Sequence, residues 1–279
     1  MVKHFIPKNL EEALKYLDEH KTTIISGGTD LMVQRRNWAE IPPLFKKDVV
    51  YIFNLDELRY ITCRNDNLII GANTRMSDLL VHLDVPELLK EAIYIIASPA
   101  LRNMATLAGN IGNASPAGDT IPILYAMDAK VKLMSLDGER IINIEDLILG
   151  PRRTAINDNE LIQEIIIPVK EFTSSSFIKV GGRKADAISK VSFTGAVRVE
   201  ENIVKELAIC FGAVGPTIIR KKSIEAKYQY ITLEELKENI DSLVNDYSEF
   251  IKPIDDQRSN KEYRKKVALN LLKEFITNL

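Results

Sequence analysis

Residues 22–33, TTIISGGTDLMV, carry the reading that decides the fold. A β-branched run from Thr22 to Ile25 breaks at Ser26-Gly27-Gly28 and resumes as Thr29-Asp30-Leu31-Met32-Val33, the pattern of a strand, a glycine turn and a helix start. Without Cβ atoms in the way, several backbone N–H groups at such a turn can converge on one anion, and the resulting nest suits a diphosphate. Asp30 would repel a phosphate, so it is assigned to the first turn of the helix, where the dipole favours an acid. The Gly-x-Gly-x-x-Gly fingerprint and the Walker A pattern are both absent, which argues against a Rossmann nicotinamide site or a P-loop. By itself, a Gly-Gly turn is more often structural than functional.

Upstream, Asn9 precedes an apolar set at Leu10, Ala13, Leu14 and Leu17, with Glu12 three residues on, which predicts a capped amphipathic helix after a short entry strand. Downstream, Val49 to Phe53 and Leu68 to Gly71 read as strands. MSDLLVHL (76–83) and PELLKEAIYIIA (86–97) read as helices, the second with Pro86 at its first turn.

Residues 98–119, SPALRNMATLAGNIGNASPAGD, are rich in Gly, Asn, Ala, Ser and Pro and predict a long ordered loop with a function. Within it, residues 106–115 alternate small and hydrogen-bonding side chains, as close approach to an extended polar ligand requires. Gly109 and Gly112 permit the approach, Thr106 and Ser115 offer hydroxyls, Asn110 and Asn113 offer amides, and Asp119 can accept from ribose or ribityl hydroxyls. The competing reading is an Ω-loop packed on itself.

Composition narrows the function. Over 279 residues, 37 basic side chains face 39 acidic ones, so no bulk field exists to hold nucleic acid or an anionic membrane. Cys63 and Cys210 stand far apart, and His4, His20 and His82 stand alone, so no disulfide framework, iron–sulfur cluster or other metal site is expected from this chain. Neither a Gly-x-Ser-x-Gly elbow nor a nucleophile beside a histidine occurs. The N-terminus lacks the apolar stretch of a signal peptide and no run approaches membrane length, which together with cysteine usage predicts a cytoplasmic protein. The basic clusters Arg220-Lys221-Lys222 and Arg264-Lys265-Lys266 read as solvated faces. Trp38, after Arg35-Arg36, is a candidate to stack on a ligand or partner, although packing is the commoner fate of a lone Trp.

Leu136-Asp137-Gly138 between β-rich runs predicts a hairpin, and LIQEIIIP (161–168) a strand. EFTSSS (171–176) is the best composition break and predicts a domain boundary. Beyond it, alternating runs meeting at Glu200-Glu201-Asn202 predict an antiparallel hairpin. TLEELKENIDSLVNDY and a closing segment with Ser259 as N-cap and Glu262 as its capping-box partner predict helices on one side of a small sheet.

Ser26-Gly27-Gly28-Thr29-Asp30-Leu31 and Thr106-Leu107-Ala108-Gly109-Asn110 resemble the two FAD pyrophosphate loops of the flavoprotein (medium) subunits of molybdenum hydroxylases, the group of bacterial xanthine dehydrogenase and carbon monoxide dehydrogenase. The similarity continues through ASPAGDTIPIL, FIKVGGRKADAISKVS, CFGAVGPTIIRKKSIEA and DDQRSNKEYRKKVALNLL, in family order and over essentially the whole chain. The fold that this implies is α+β: a two-lobed FAD-binding domain of the vanillyl-alcohol-oxidase (PCMH) type, with FAD between its lobes, and a C-terminal α+β domain like that of CO dehydrogenase flavoproteins. On this chain the first would span 1–172, with lobes of about 1–55 and 56–172, and the second 173–279.

The resemblance also implies site residues. Ile25, Ser26, Gly27, Gly28, Thr29, Asp30 and Leu31 match the first loop, and Thr106, Gly109, Asn110, Gly112 and Asn113 match the second. Asp119 matches an acid that holds FAD hydroxyls. Ile162 and Lys179 match an apolar wall and a cation near the isoalloxazine, where the lysine would stabilise reduced flavin; a solvent-facing strand lysine is the plainer reading of Lys179. Ala108 departs from the family's usual glycine. The implied function is an oxidoreductase subunit with non-covalent FAD and no catalytic side chain of its own. It would pass electrons from a [2Fe–2S] small subunit to NAD+ or another acceptor, beside a large subunit that holds the molybdenum cofactor. The rivals are a stand-alone flavin oxidoreductase of the same fold and a flavin-free assembly subunit.

Overall fold

The computed structural model describes residues 2–184 and 186–279. Its contacts fall into two compact units that no single cut of the chain separates. One comprises Met1–Val85, Ala97–Ala114 and Ala129–Pro168; the other comprises Pro86–Ile96, Ser115–Asp128 and Val169–Leu279. Among the described residues, no helix is long and apolar enough to cross a membrane.

The first unit holds two sheets. Strands His4–Phe5 and Thr22–Ile25 flank Asp48–Tyr51, all parallel. The link between the first two is the helix Leu10–Glu19, capped as its sequence predicts: Asn9 Oδ1 accepts the Glu12 N–H at 2.8 Å. Ala13, Leu14 and Leu17 lie on one helical face and pack with Val50, Ile52 and Leu55. The second sheet is antiparallel, in the order Ile61–Arg64, Asn67–Gly71, Leu161–Pro168, Lys130–Ser135, Gly138–Asn143. Period-2 alternation buries Leu68, Ile70, Val131, Leu133, Ile165 and Ile167. The opposite face carries Arg64, Asn67, Lys130 and Lys132. In the predicted hairpin the turn residues are Leu136 and Asp137, while Gly138 already pairs with Ser135. At the other end of this sheet the register slips between Ile162 and Glu164, a bulge that leaves Leu161 and Ile162 both buried in succession.

In the second unit the strands Ser174–Val180, Val191–Glu200, Ile203–Gly212 and Ile219–Arg220 form an antiparallel sheet in that order. The hairpin predicted at Glu201-Asn202 is present, with φ of 50° and 65°, the left-handed pair of a tight two-residue turn. One face of the central strands is large: Phe193 pairs with Phe211 and Val197 with Leu207, packed with Tyr247, Leu272 and Phe275 from the C-terminal helices. The other face is small, with Ser192 opposite Gly212, Thr194 opposite Cys210 and Ala196 opposite Ala208. Against it lies the helix Ile121–Ala126, so close that a Cβ on Gly212 would stand 3.2 Å from Pro122 Cγ. Helices therefore cover both faces, which corrects the expectation of one covered side. The second cover comes from residues far upstream of the sheet, and a reading that follows chain order does not find it.

Four local expectations also change. Residues 98–119 are not a loop throughout, because Ser98 and Thr106 each cap a short helix, Pro99–Arg102 and Leu107–Asn113. The helical stretch after Thr232 is two helices, Leu233–Glu238 and Ile240–Ser248, broken at Asn239. The cap of the last helix, Lys261–Thr277, is Asn260, whose Oδ1 accepts the Tyr263 N–H at 2.8 Å, while Ser259 bonds back to Asp256. Finally, Arg220 and Arg264 are not solvated. Arg220 is buried on Glu225 and Asp128, and Arg264 on Asp256 and the Ala213 carbonyl.

Candidate functional site

The first glycine turn leaves the strand Thr22–Ile25 and enters a single helical turn, Leu31–Gln34. Its two glycines serve different needs. Gly28 has φ of +68°, a left-handed conformation that a side chain disfavours. Gly27 is packed against chain: a Cβ there would lie 1.9 Å from the Met104 carbonyl oxygen. Close approach at Gly27 is thus made first by the protein's own backbone. Among the described residues, the N–H groups of Gly27, Gly28, Thr29 and Asp30 have no hydrogen-bond partner. Four consecutive free donors form the kind of concavity that holds an anion.

The second segment meets the first, 80 positions away in sequence. Thr106 caps the helix Leu107–Asn113, accepting the Gly109 N–H at 3.0 Å, and its hydroxyl lies 3.3 Å from Ser26 Oγ. Gln34 Nε2 donates to Asn113 Oδ1 at 3.0 Å and also to the Asp30 carboxylate, which stands at the helix entry. A Cβ on Gly112 would meet Ile162 Cδ1 at 3.9 Å and nothing else within 4 Å, so one side of this short helix faces open space bordered by Ile162. Gly109 differs, since a Cβ there would press on its own cap, Thr106 Oγ1, at 2.9 Å. Ala108 is 5% exposed, so its methyl is largely covered by the protein. Ile25 is buried beneath the turn. Leu31 begins the helix, and Asn110 continues the second one, its N–H on the Thr106 carbonyl. Free amides, hydroxyls and an open glycine face, with no acid except Asp30 at the rim, form a donor set that fits a diphosphate.

Asp119 and Lys179 belong to the other unit and form a group of their own. Lys179 Nζ is 2.7 Å from Asp119 Oδ2, both side chains are 8% exposed, and Ser189 donates to Asp119 Oδ1. Burial pushes the Asp119 carboxyl up, against the pull of Lys179 and the Ser189 hydrogen bond. Lys179 Nζ also reaches the Ile95 carbonyl at 3.4 Å. The plain reading of Lys179 as a solvent-facing strand lysine fails.

Two site-supporting residues escaped the sequence. Asn73 is fully buried, donates to the Ile52 and Leu55 carbonyls, and accepts the Ser26 hydroxyl at 2.8 Å, so it sets the direction of Ser26. Ser189 completes the Asp119 pair. An Asn between a strand and a helix reads as a turn former, and nothing local marks it as an anchor for a residue 47 positions away.

The family model for the FAD binding domain in molybdopterin dehydrogenase matches residues 1–170, and that for the CO dehydrogenase flavoprotein C-terminal domain matches residues 176–279. The glyceraldehyde dehydrogenase medium chain of Sulfolobus acidocaldarius is 30% identical over 94% of this chain and 92% of that one. The xanthine dehydrogenase FAD-binding subunit of Escherichia coli O157:H7 is 29% identical over 96% and 92%. In fold, the chain superposes on the carbon monoxide dehydrogenase of Hydrogenophaga pseudoflava with a TM-score of 0.89 at 23% identity, covering 99% of this chain and 96% of that chain. The chain therefore belongs to the FAD-binding flavoprotein subunits of the molybdopterin dehydrogenases, a family of oxidoreductases, and its cofactor is FAD.

Proposed function

We propose that this chain is the electron-transfer subunit of a molybdenum-dependent hydroxylase of the xanthine dehydrogenase type. It stands between a [2Fe–2S] small subunit and NAD+ or another acceptor, with the substrate handled on a separate large subunit that holds the molybdenum cofactor. The observation that carries this reading is the seam between the two glycine segments: free amides at 27–30 beside the Thr106-capped helix with its open Gly112 face. We assign FAD binding to residues 1–172 and the C-terminal domain to 173–279, in the cytoplasm.

Bound non-covalently, FAD would supply the redox chemistry. The chain's own groups would hold it: the amides of residues 27–30 and the hydroxyls of Ser26 and Thr106 at the diphosphate, Asp119 at hydroxyls, and Ile162 as an apolar wall. Leu31, Gly109, Asn110, Gly112 and Asn113 complete the two loops. Lys179 is the cation assigned to the flavin ring. Because Asp119 pairs with it, the ammonium is fixed in place and partly offset, so its effect on a reduced flavin is smaller than that of a free lysine.

The test is an absorbance spectrum of the purified chain and of the cofactor released by acid. Flavin bands with intact FAD released, and bleaching by NADH in the complete enzyme, support the reading. A chain that takes up no flavin overturns it, and a flavin that stays with the denatured chain overturns non-covalent attachment.

A further inference from the structure

Directly after the glycine turn, residues 35–44 form a loop that holds itself together and turns its apolar side chains outward. Leu44 N–H donates to the Arg35 carbonyl at 2.7 Å, Ile41 N–H to the Trp38 carbonyl at 3.1 Å, and Asn37 Nδ2 to the Pro42 carbonyl at 3.1 Å. Trp38, the sole tryptophan of the chain, is nevertheless 82% exposed. Ile41 and Leu44, and Val33 in the preceding helical turn, are each more than half exposed, and Phe45 anchors the loop's end in the core. Scattered exposed apolar residues need no explanation, but a closed loop presenting an indole with three aliphatic neighbours does.

The rim of this patch is cationic. Among the described residues, Arg35, Arg36 and Lys46 have no carboxylate within ion-pair distance, whereas Lys47 is held by Asp158. Glu40 is the one acid within the loop. A chain of net charge −2 thus concentrates unpaired positive charge around exposed apolar surface. Such a surface is complementary to an apolar socket ringed by carboxylates, and an aromatic anchor with arginines at the rim is the composition of an interface hot spot. A second copy of the same loop would repel it.

We propose that the Arg35–Leu44 loop is the docking element of this chain for another subunit of its enzyme, which seats Trp38 in an apolar socket and meets Arg35, Arg36 and Lys46 with carboxylates. The proposal rests on the reading of the chain as one subunit of a larger enzyme. Its test uses the tagged full chain, purified from its own cells with its copurifying subunits, beside the isolated full chain. Hydroxyl-radical footprinting read by mass spectrometry should show Trp38 oxidised at least fivefold more slowly in the complex. Carbodiimide coupling, which joins lysine amines to carboxylates without a spacer, should link Lys46 to Asp or Glu residues of the protecting subunit. Trp38→Ala should keep the melting temperature and FAD content of the isolated chain while weakening assembly at least tenfold, and Arg36→Glu should weaken it too. Equal oxidation of Trp38 with and without partners, protection in a dimer of the isolated chain, or purification of the chain alone overturns the proposal. FAD content is read separately, so a colourless chain that still protects Trp38 overturns the functional reading and leaves this surface standing.

Discussion

Ser26 and Thr106 place their hydroxyl oxygens 3.3 Å apart, and through that contact the two glycine segments become one surface. Thr106 is 2% exposed and also caps the second helix through Gly109. Thr106→Val keeps the shape and removes both bonds. Loss of a cap of this kind costs about 1 kcal/mol, so the isolated chain should remain folded with a slightly lowered melting point. FAD retention should fall further than stability does, because the Gly109 turn loosens where the diphosphate is expected. Urea unfolding and FAD titration check the two parts; unchanged FAD affinity would remove Thr106 from the site.

The glycines separate packing from binding. Gly112 lies within a helix and faces open space, so Gly112→Ala should leave the fold intact and gain up to about 1 kcal/mol of helix stability. Its methyl should still lower FAD occupancy. Gly27→Ala forces a methyl against the Met104 carbonyl, and the turn must move. Overpacking on backbone costs about 1–3 kcal/mol or more, so this variant should lose both stability and flavin. Melting curves with flavin absorbance decide it, and a fully yellow Gly112→Ala protein would place the second helix away from the cofactor.

The glycine turn, the Asn9 cap and the Glu201-Asn202 hairpin were legible because each is written within four residues, by φ preference or by a local hydrogen bond. Both candidate binding segments were legible for the same reason. What local pattern left out was set at long range. The Ile121–Ala126 helix covers the small face of a sheet whose strands begin some fifty residues later, and nothing near Arg220 announces that Glu225 and Asp128 will bury it. The run ATLAGNIGN reads as loop because Gly and Asn disfavour helix; Thr106 as a cap and Leu107, Ala108 and Ile111 as a buried face outweigh that preference. Asp119 and Lys179 stand 60 positions apart, and their partnership is a matter of tertiary structure alone.

That partnership can be measured in the absence of flavin. Removing Lys179 leaves a buried carboxylate that, among the described residues, keeps the Ser189 hydroxyl as its side-chain donor. Breaking one side of a buried pair typically costs about 3–5 kcal/mol, much of it relieved when the second charge is also removed. Lys179→Met should therefore destabilise the isolated chain strongly, and Asp119→Asn with Lys179→Met should recover part of the loss, with a coupling energy above about 1 kcal/mol. Strictly additive losses would show that the pair does not act as a unit. A change in flavin reduction potential without any loss of stability would assign Lys179 to the cofactor alone.

Acid should act on the second unit through Asp128. Burial raises its pKa, but the Arg220 guanidinium and the ammonium groups of Lys170 and Lys222 outweigh that and hold the carboxyl at about 2. Lys170 and Arg220 approach it at 2.6 and 2.8 Å. An acid whose folded pKa lies below its unfolded value, about 3.9, contributes stability that is complete above that value and is lost as the pH falls toward 2. The shift corresponds to roughly 2–3 kcal/mol at most, and screening lowers it, since the side chain keeps 32% of its surface in water. Asp128 sits at φ of 54°, which asparagine tolerates, so Asp128→Asn changes the charge without straining the backbone. The variant should be less stable than wild type by about 1–2 kcal/mol at pH 7, and the difference should shrink steadily between pH 4 and 2. Urea unfolding of both proteins across that range measures it, and parallel stability curves would show that Asp128 carries none of the acid sensitivity.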